Sequence, residues 1–306
     1  MPRRLLRCFT ALGDCNMVAQ SFLVLLLLPF LLCVGCTGLQ NQDSLPTYSV
    51  SDAGLLSLSL SDAQVSSTLL ESKGNVSVED LTFVTFEGNV SAVLITPAQP
   101  VACLVWAPGA GVPATGHIDH LIPYAEQGYA VLVVDIRGNG GKTPGYPLNI
   151  EQDYAKYSSR EWPQVYLIIA DLIEAERYLH HRYGSVVPVW MVGESNGGRY
   201  AAISSVIDSD VTGFVGISTS GYGMAGNQYQ GDARLFLLSI DPDVACPSLG
   251  PRPALIFHAP LDTIIPEKSG KDLASIIGPS AKFYEFNGTH GVNGEVDAIL
   301  LKQLQN

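Results

Sequence analysis

The stretch Val189-Trp190-Met191-Val192-Gly193-Glu194-Ser195-Asn196-Gly197-Gly198 decides how the rest of the chain is read. It passes from an apolar, strand-like segment through Gly-x-Ser-x-Gly into a segment with helix spacing. A serine that acts as a nucleophile must stand on a very tight strand-to-helix turn, and glycine two residues to either side lets the backbones approach. The helix that begins behind Ser195 leaves N–H groups free to face a developing oxyanion. Gly193 and Gly197 therefore frame the turn, Ser195 is the candidate nucleophile, and the N–H of Asn196 is a candidate oxyanion donor.

A serine hydroxyl needs a base, and the base needs a carboxylate to orient it. Downstream, Leu255-Ile256-Phe257-His258-Ala259-Pro260-Leu261-Asp262 places an acid just after an apolar strand. Phe283-Tyr284-Glu285-Phe286-Asn287-Gly288-Thr289-His290-Gly291 then places a histidine in a glycine-flanked loop after the last strand. Asp262 and His290 are the candidate acid and base. Asp241 and Asp243 lack the strand-end placement. Glu194, beside Ser195 on a tight turn, points away from it and is expected to play a supporting or solvent-facing part.

Outward from this core the chain alternates. Strands are predicted at 81–86, 90–96, 101–107, 129–135, 188–193, 211–218, 254–259 and 282–286, the first two joined by a short turn at 87–89. Helices are predicted at 118–127, 161–183, 197–207, 267–277 and 294–304. Unbroken apolar strands alternating with helices mean an α/β protein with a mostly parallel central sheet covered on both faces. Two stretches break the rhythm, 139–162 and 221–253; both follow strand ends and are expected to be lid or pocket loops. Their tyrosines and Phe236 form either an apolar wall or ordinary loop packing. Residues 37–79, rich in Ser and Asp, read as a tether passing into an irregular segment, and 80–306 as one domain.

With these residues in view the chain resembles the α/β-hydrolase superfamily, in particular the dienelactone-hydrolase and prolyl-oligopeptidase-like serine hydrolases. The order Ser195, Asp262, His290 is that family's order. The segment from His258 to Pro266 resembles its H-G-x-x-D-x-x-V-P acid segment, with Ala259 in place of glycine, and His290-Gly291 resembles its H-G pair. Trp106-Ala107-Pro108-Gly109-Ala110-Gly111 resembles its H-G-x-G oxyanion loop with Pro108 replacing histidine, which implies the N–H of Ala110 as the second donor. Val134-Asp135-Ile136-Arg137-Gly138-Asn139-Gly140 resembles its D-x-R-G-x-G segment and implies a loop-shaping role. The resemblance implies a serine hydrolase without cofactor or metal. Ester substrates of small or medium size are expected, because 37–79 is too short to build the propeller that screens peptides in oligopeptidases. A peptidase or amidase of the same fold, an acyl transferase, and a surface binding protein on a hydrolase scaffold use the same residues and remain alternatives.

Composition bounds the rest. In 306 residues there are 17 Lys+Arg against 29 Asp+Glu, a net charge of −12, which excludes a nucleic-acid binder as a whole. The mean hydropathy of +0.21 traces largely to the N-terminus. Arg3, Arg4 and Arg7 precede an apolar run at 22–34, and a polar stretch follows Cys36: a secretory leader over 1–36. The small residues before Cys36 resemble a lipobox, with Cys33 where an aliphatic residue is usual, and imply lipidation at Cys36. The competing reading is an uncleaved anchor, since 17–39 is long enough to cross a bilayer. Both place the domain outside the cytoplasm on a membrane. Four of the six cysteines lie in the leader region, leaving Cys103 and Cys246, and no Cys/His spacing suggests zinc. Asn75, Asn89 and Asn287 lie in glycosylation sequons. His117, Asp119 and His120 are expected to cap a helix.

Overall fold

Side-chain alternation sorts the apolar residues of this chain into two layers, one on each face of a nine-stranded sheet. The structure, a computed structural model, describes residues 45–305. Thr47–Val50 (β1) and Leu56–Ser59 (β2) pair antiparallel as a separate ribbon. Gln64–Lys73 (β3), Val76–Thr85 (β4) and Gly88–Pro97 (β5) form an antiparallel flank. Ala102–Ala107 (β6), Ile118–Glu126 (α1), Tyr129–Val134 (β7), Ile150–Ser158 (α2) and Gln164–Tyr183 (α3) follow. Then come Val189–Glu194 (β8), Asn196–Ile207 (α4), Gly213–Ile217 (β9), Gly231–Ser239 (α5) and Pro242–Ala245 (α6). Ala254–His258 (β10), Glu267–Ile277 (α7), Ala281–Glu285 (β11) and Gly294–Leu304 (α8) complete the chain.

The sheet order is β11-β10-β9-β8-β6-β7-β5-β4-β3. From β7 to β11 every pairing is parallel, and from β7 outward through β5 and β4 to β3 every pairing is antiparallel. In β6, Cys103, Val105 and Ala107 enter one layer of the core while Leu104 and Trp106 enter the other. All six residues of β6 and of β7 are buried, as a sheet covered on both faces requires. β6 lies between β7 and β8, so the chain reverses its direction across the sheet there. A crevice opens at such a switch point, outside the carboxyl ends of the strands. The loops after β6 and β8 carry Ala110 and Ser195.

Three expectations change. Residues 45–79 are not irregular: they hold β1, β2, all of β3 and the start of β4, within the same compact unit as the rest of the described residues. β3 is an edge strand with nearly every residue exposed, so no apolar alternation marks it in the sequence. Second, 139–162 and 221–253 contain α2, α5 and α6 rather than open loop alone. Their aromatics mostly pack. Tyr48, Tyr157, Tyr166 and Phe236 form one group that joins the β1–β2 ribbon to both insertions. Third, Thr85 pairs with Gly88, so the β4–β5 turn is the two residues Phe86-Glu87. The leader and Cys36 lie outside the described residues. Among those described, no helix is long and apolar enough to cross a membrane.

Candidate active site

β8 ends and α4 begins with no residue between them but Ser195, which takes φ 53° and ψ −121°. A non-glycine residue there is strained, and the surroundings must hold it. They do so through its backbone. Ser195 N–H donates to Ile217 O at 2.9 Å, while its carbonyl accepts from Gly198 N–H at 3.1 Å and from Thr219 Oγ1 at 2.7 Å. The flanking glycines have a direct steric cause. A Cβ on Gly193 would lie 2.4 Å from Gly197 O, and one on Gly197 would lie 2.1 Å from Ala107 O. Alanine fits neither position without moving backbone.

Asp262 and His290 meet at the same edge of the sheet. Asp262, in the loop after β10, accepts at Oδ2 from His290 Nδ1 at 2.8 Å, and at Oδ1 from the N–H groups of Ile264 (2.8 Å) and Ile265 (2.9 Å). Burial opposes the charge of Asp262. The Ile265 N–H, the His290 ring and the Ile264 N–H outweigh it and hold the carboxyl below the usual carboxylate range. His258 Nε2 lies 3.3 Å from the same Oδ2 and 2.7 Å from Ile265 O, so a buried histidine buttresses the acid loop. The loop bearing His290 is tied down as well: Gly291 N–H donates to Ser218 Oγ at 3.0 Å, and Asn293 caps α8.

Ala110 and Asn196 line one cavity of about 200 Å³, together with Ile136, Leu148, Ile168 and Tyr200. Asn139 shapes its rim. The Asn139 amide donates to Gly109 O (2.9 Å) and Val112 O (3.2 Å), and its Oδ1 accepts from Gly111 N–H (3.1 Å). This side chain therefore staples the loop on which Ala110 sits. Arg199 does the same for Asn196: Nη1 donates to Asn196 Oδ1 at 2.6 Å, Nε donates to Ser220 O at 3.1 Å, and the guanidinium lies over the Tyr222 ring. A larger groove of about 710 Å³ is lined by Arg199, Tyr222, Asp243, Ile264 and Ser269, and Ser195 itself is part of the wall of neither this groove nor the smaller cavity. The smaller cavity is the one lined by both oxyanion candidates, and Asn196 directly follows Ser195 in the chain.

The remaining sequence candidates sort by their contacts. Asp135 accepts from Ala114 N–H and Thr143 N–H, whereas Arg137 is held bidentate by Asp171 at 2.7 and 3.0 Å. Both shape loops, each with a different partner. Asp241 accepts from the N–H groups of Tyr222, Met224 and Asp243 and organises the second insertion. His117 makes no side-chain cap at α1; it is buried beside Trp106, and that burial pushes its imidazole down to about 4. His120 bonds Asp297 of α8 at 2.9 Å instead of capping. Cys103 and Cys246 are free and buried. Among the described residues no group of three or more His, Cys, Asp or Glu side chains is arranged to hold a metal. Sequence reasoning missed Asn139, Arg199, Ser218 and Thr219 as supports: Asn139, Ser218 and Thr219 act through contacts distant along the chain, and Arg199 joins the nearby Asn196 to Ser220 on another loop.

No family model matches the chain, and no curated protein matches it in sequence. Solved structures do match in shape. An acetyl xylan esterase from a Paenibacillus species superposes with a TM-score of 0.64 at 18% identity, over 80% of this chain and 89% of that one. Acetyl xylan esterase 1 from a Thermoanaerobacterium species gives 0.64 at 15% identity, over 80% and 89%. The glucuronoyl esterase from Solibacter usitatus gives 0.60 at 15% identity, over 80% and 86%. With the sheet order and the strand–serine–helix turn, these likenesses identify the fold of this chain as that of the α/β-hydrolases.

Proposed function

We propose that the chain is a serine esterase that works by acyl transfer. The observation that carries this is the pairing of a strained Ser195 at the β8–α4 junction with an Asp262–His290 bond of 2.8 Å at the same sheet edge. With Nδ1 of His290 engaged by Asp262, Nε2 is left to take the proton from Ser195 Oγ as that oxygen bonds the ester carbonyl carbon. The N–H groups of Ala110 and Asn196 then stabilise the tetrahedral oxyanion. The alcohol leaves with the proton from His290. Water, activated by the same imidazole, releases the acid and restores Ser195.

Substrates are carboxylic esters of small or medium size. The cavity of about 200 Å³ beside Ala110 and Asn196 is below the usual range for drug-sized ligands, which suits a short acyl group. Esterases that act on acetyl and glucuronoyl groups share the fold, and short acyl esters of carbohydrates are the first substrates to try. Hydrolysis of short-chain p-nitrophenyl esters by the wild type and by Ser195→Ala tests the assignment. Loss of at least about 10³-fold in the variant is expected, and equal rates would overturn it. Export is part of the proposal: a secretory leader over 1–36 with lipidation at Cys36 would tether the enzyme outside the cytoplasmic membrane. Retention in the membrane fraction that is lost in Cys36→Ser supports this; retention unchanged by that substitution favours an uncleaved anchor.

A further inference from the structure

We infer that Glu194 is a positioning residue for this chemistry: its carboxylate sets the spacing between the Ala110 loop and the His290 loop, and it faces the imidazole as that ring gains a proton. The inference rests on the serine-esterase reading above.

Glu194 is the last residue of β8 and directly precedes Ser195. Two loops close over it. A Cβ on Gly109 would lie 3.8 Å from the Glu194 carboxyl carbon and 3.5 Å from Ser195 Cβ. A Cβ on Gly291 would lie 2.7 Å from Glu194 Oε1, and the next residue, Val292, donates its N–H to the same carboxylate. The Glu194 carboxylate thus occupies the space that a side chain on the glycine after His290 would need, and it lies within ordinary contact reach of the glycine before Ala110. Removing it takes away the acceptor of the Val292 N–H and opens the space between the two loops.

The groups around this carboxylate are His290 and, from α1, His120. Asp262 holds the far nitrogen of His290, and Asp297 of α8 holds Nε2 of His120, with Tyr124 OH donating to the same Asp297 at 2.7 Å. Burial raises the Glu194 carboxyl above its ordinary range, while the Val292 N–H, His290 and His120 draw it back toward the charged form. When Ser195 Oγ gives up its proton, the His290 ring becomes cationic with Asp262 bonded to it and the charge of Glu194 acting on it as well. A charge that faces the ring only after proton transfer favours the transition state over the bound ester, so its effect belongs in kcat and not in KM.

The test uses the full chain, p-nitrophenyl acetate and three variants. Glu194→Gln keeps the shape and the acceptor for Val292 N–H but removes the charge; Glu194→Ala removes both. The Gln variant is expected to lose about tenfold in kcat with KM within about twofold and an unchanged Tm, and the Ala variant about 100-fold. Wild-type kcat in Glu194→Gln would overturn the inference. So would a rise in KM at constant kcat. Ser195→Ala separates the two levels. If wild-type hydrolysis survives that change, the esterase reading fails and this inference falls with it. If hydrolysis needs Ser195 yet ignores Glu194→Gln, the esterase reading stands and the part given to the Glu194 charge fails.

Discussion

The two sides of the sheet are held by different means. From β7 to β11 the strands are parallel and mostly buried on both faces, and the backbone of Ser195 is held at its positive φ by three hydrogen bonds, to Ile217, Gly198 and Thr219. From β5 to β3 the strands are antiparallel, and burial falls away until β3 is exposed along nearly its whole length. Leu69 and Leu70 are 60% and 54% exposed there, whereas Ile217, whose carbonyl pins Ser195, is fully buried. Strain persists only where packing over-determines it, so a strained nucleophile belongs on the parallel side. The antiparallel flank can vary without reaching the chemistry.

The comparison breaks most sharply at the acid. Asp262→Asn should cost about 10³–10⁴-fold in kcat on p-nitrophenyl acetate, because the amide can donate to His290 and fix the wrong tautomer; a loss under tenfold would remove Asp262 from its role. Next comes the buried pair that ties the end of β7 to α3. Asp171→Ala should destabilise by about 3–5 kcal/mol in urea unfolding, since it leaves the Arg137 guanidinium buried without its carboxylate. Gly197→Ala, which drives a methyl into Ala107 O, should cost about 3 kcal/mol and abolish fluorophosphonate labelling of Ser195. At the far flank, Leu69→Ser should change stability by no more than about 0.5 kcal/mol and leave kcat alone. A large effect there would mean the flank and the site are coupled after all.

Acid sharpens the same contrast. The folded state holds the Asp262 carboxyl below its unfolded value, so its stabilising contribution is fully present above the unfolded pKa and is lost as pH falls through the folded one. Wild type should therefore lose stability on acidification more steeply than Asp262→Asn when unfolding is followed from pH 5 downward. Parallel curves would show that the carboxylate is not held as described.

Legibility in the sequence follows the same division. The parallel side could be read directly: β6 and β7 are unbroken apolar runs, and Gly193, Ser195 and Gly197 name their turn by chemistry alone. Asp262 and His290 could be placed because strand ends bring together what the sequence separates by 28 residues. β3 could not be read, since an exposed edge strand needs no apolar alternation and its polar Ser, Thr and Glu residues look like tether. The helices α2 and α5 were hidden by weak patterning, their packing being supplied by a ribbon more than 90 residues upstream of α2 and farther from α5. The supports Asn139 and Arg199 act through amide and guanidinium contacts that no local motif announces.

The stapling of residues 109–112 by Asn139 has a consequence for speed. A peptide N–H that swings freely must be turned toward the developing oxyanion each time, and the dipole reorganisation this needs adds to the barrier. With Gly109 O, Gly111 N–H and Val112 O already engaged by one amide, the Ala110 peptide lies between fixed neighbours. Its orientation is settled once, when the chain folds, and is inherited by every turnover.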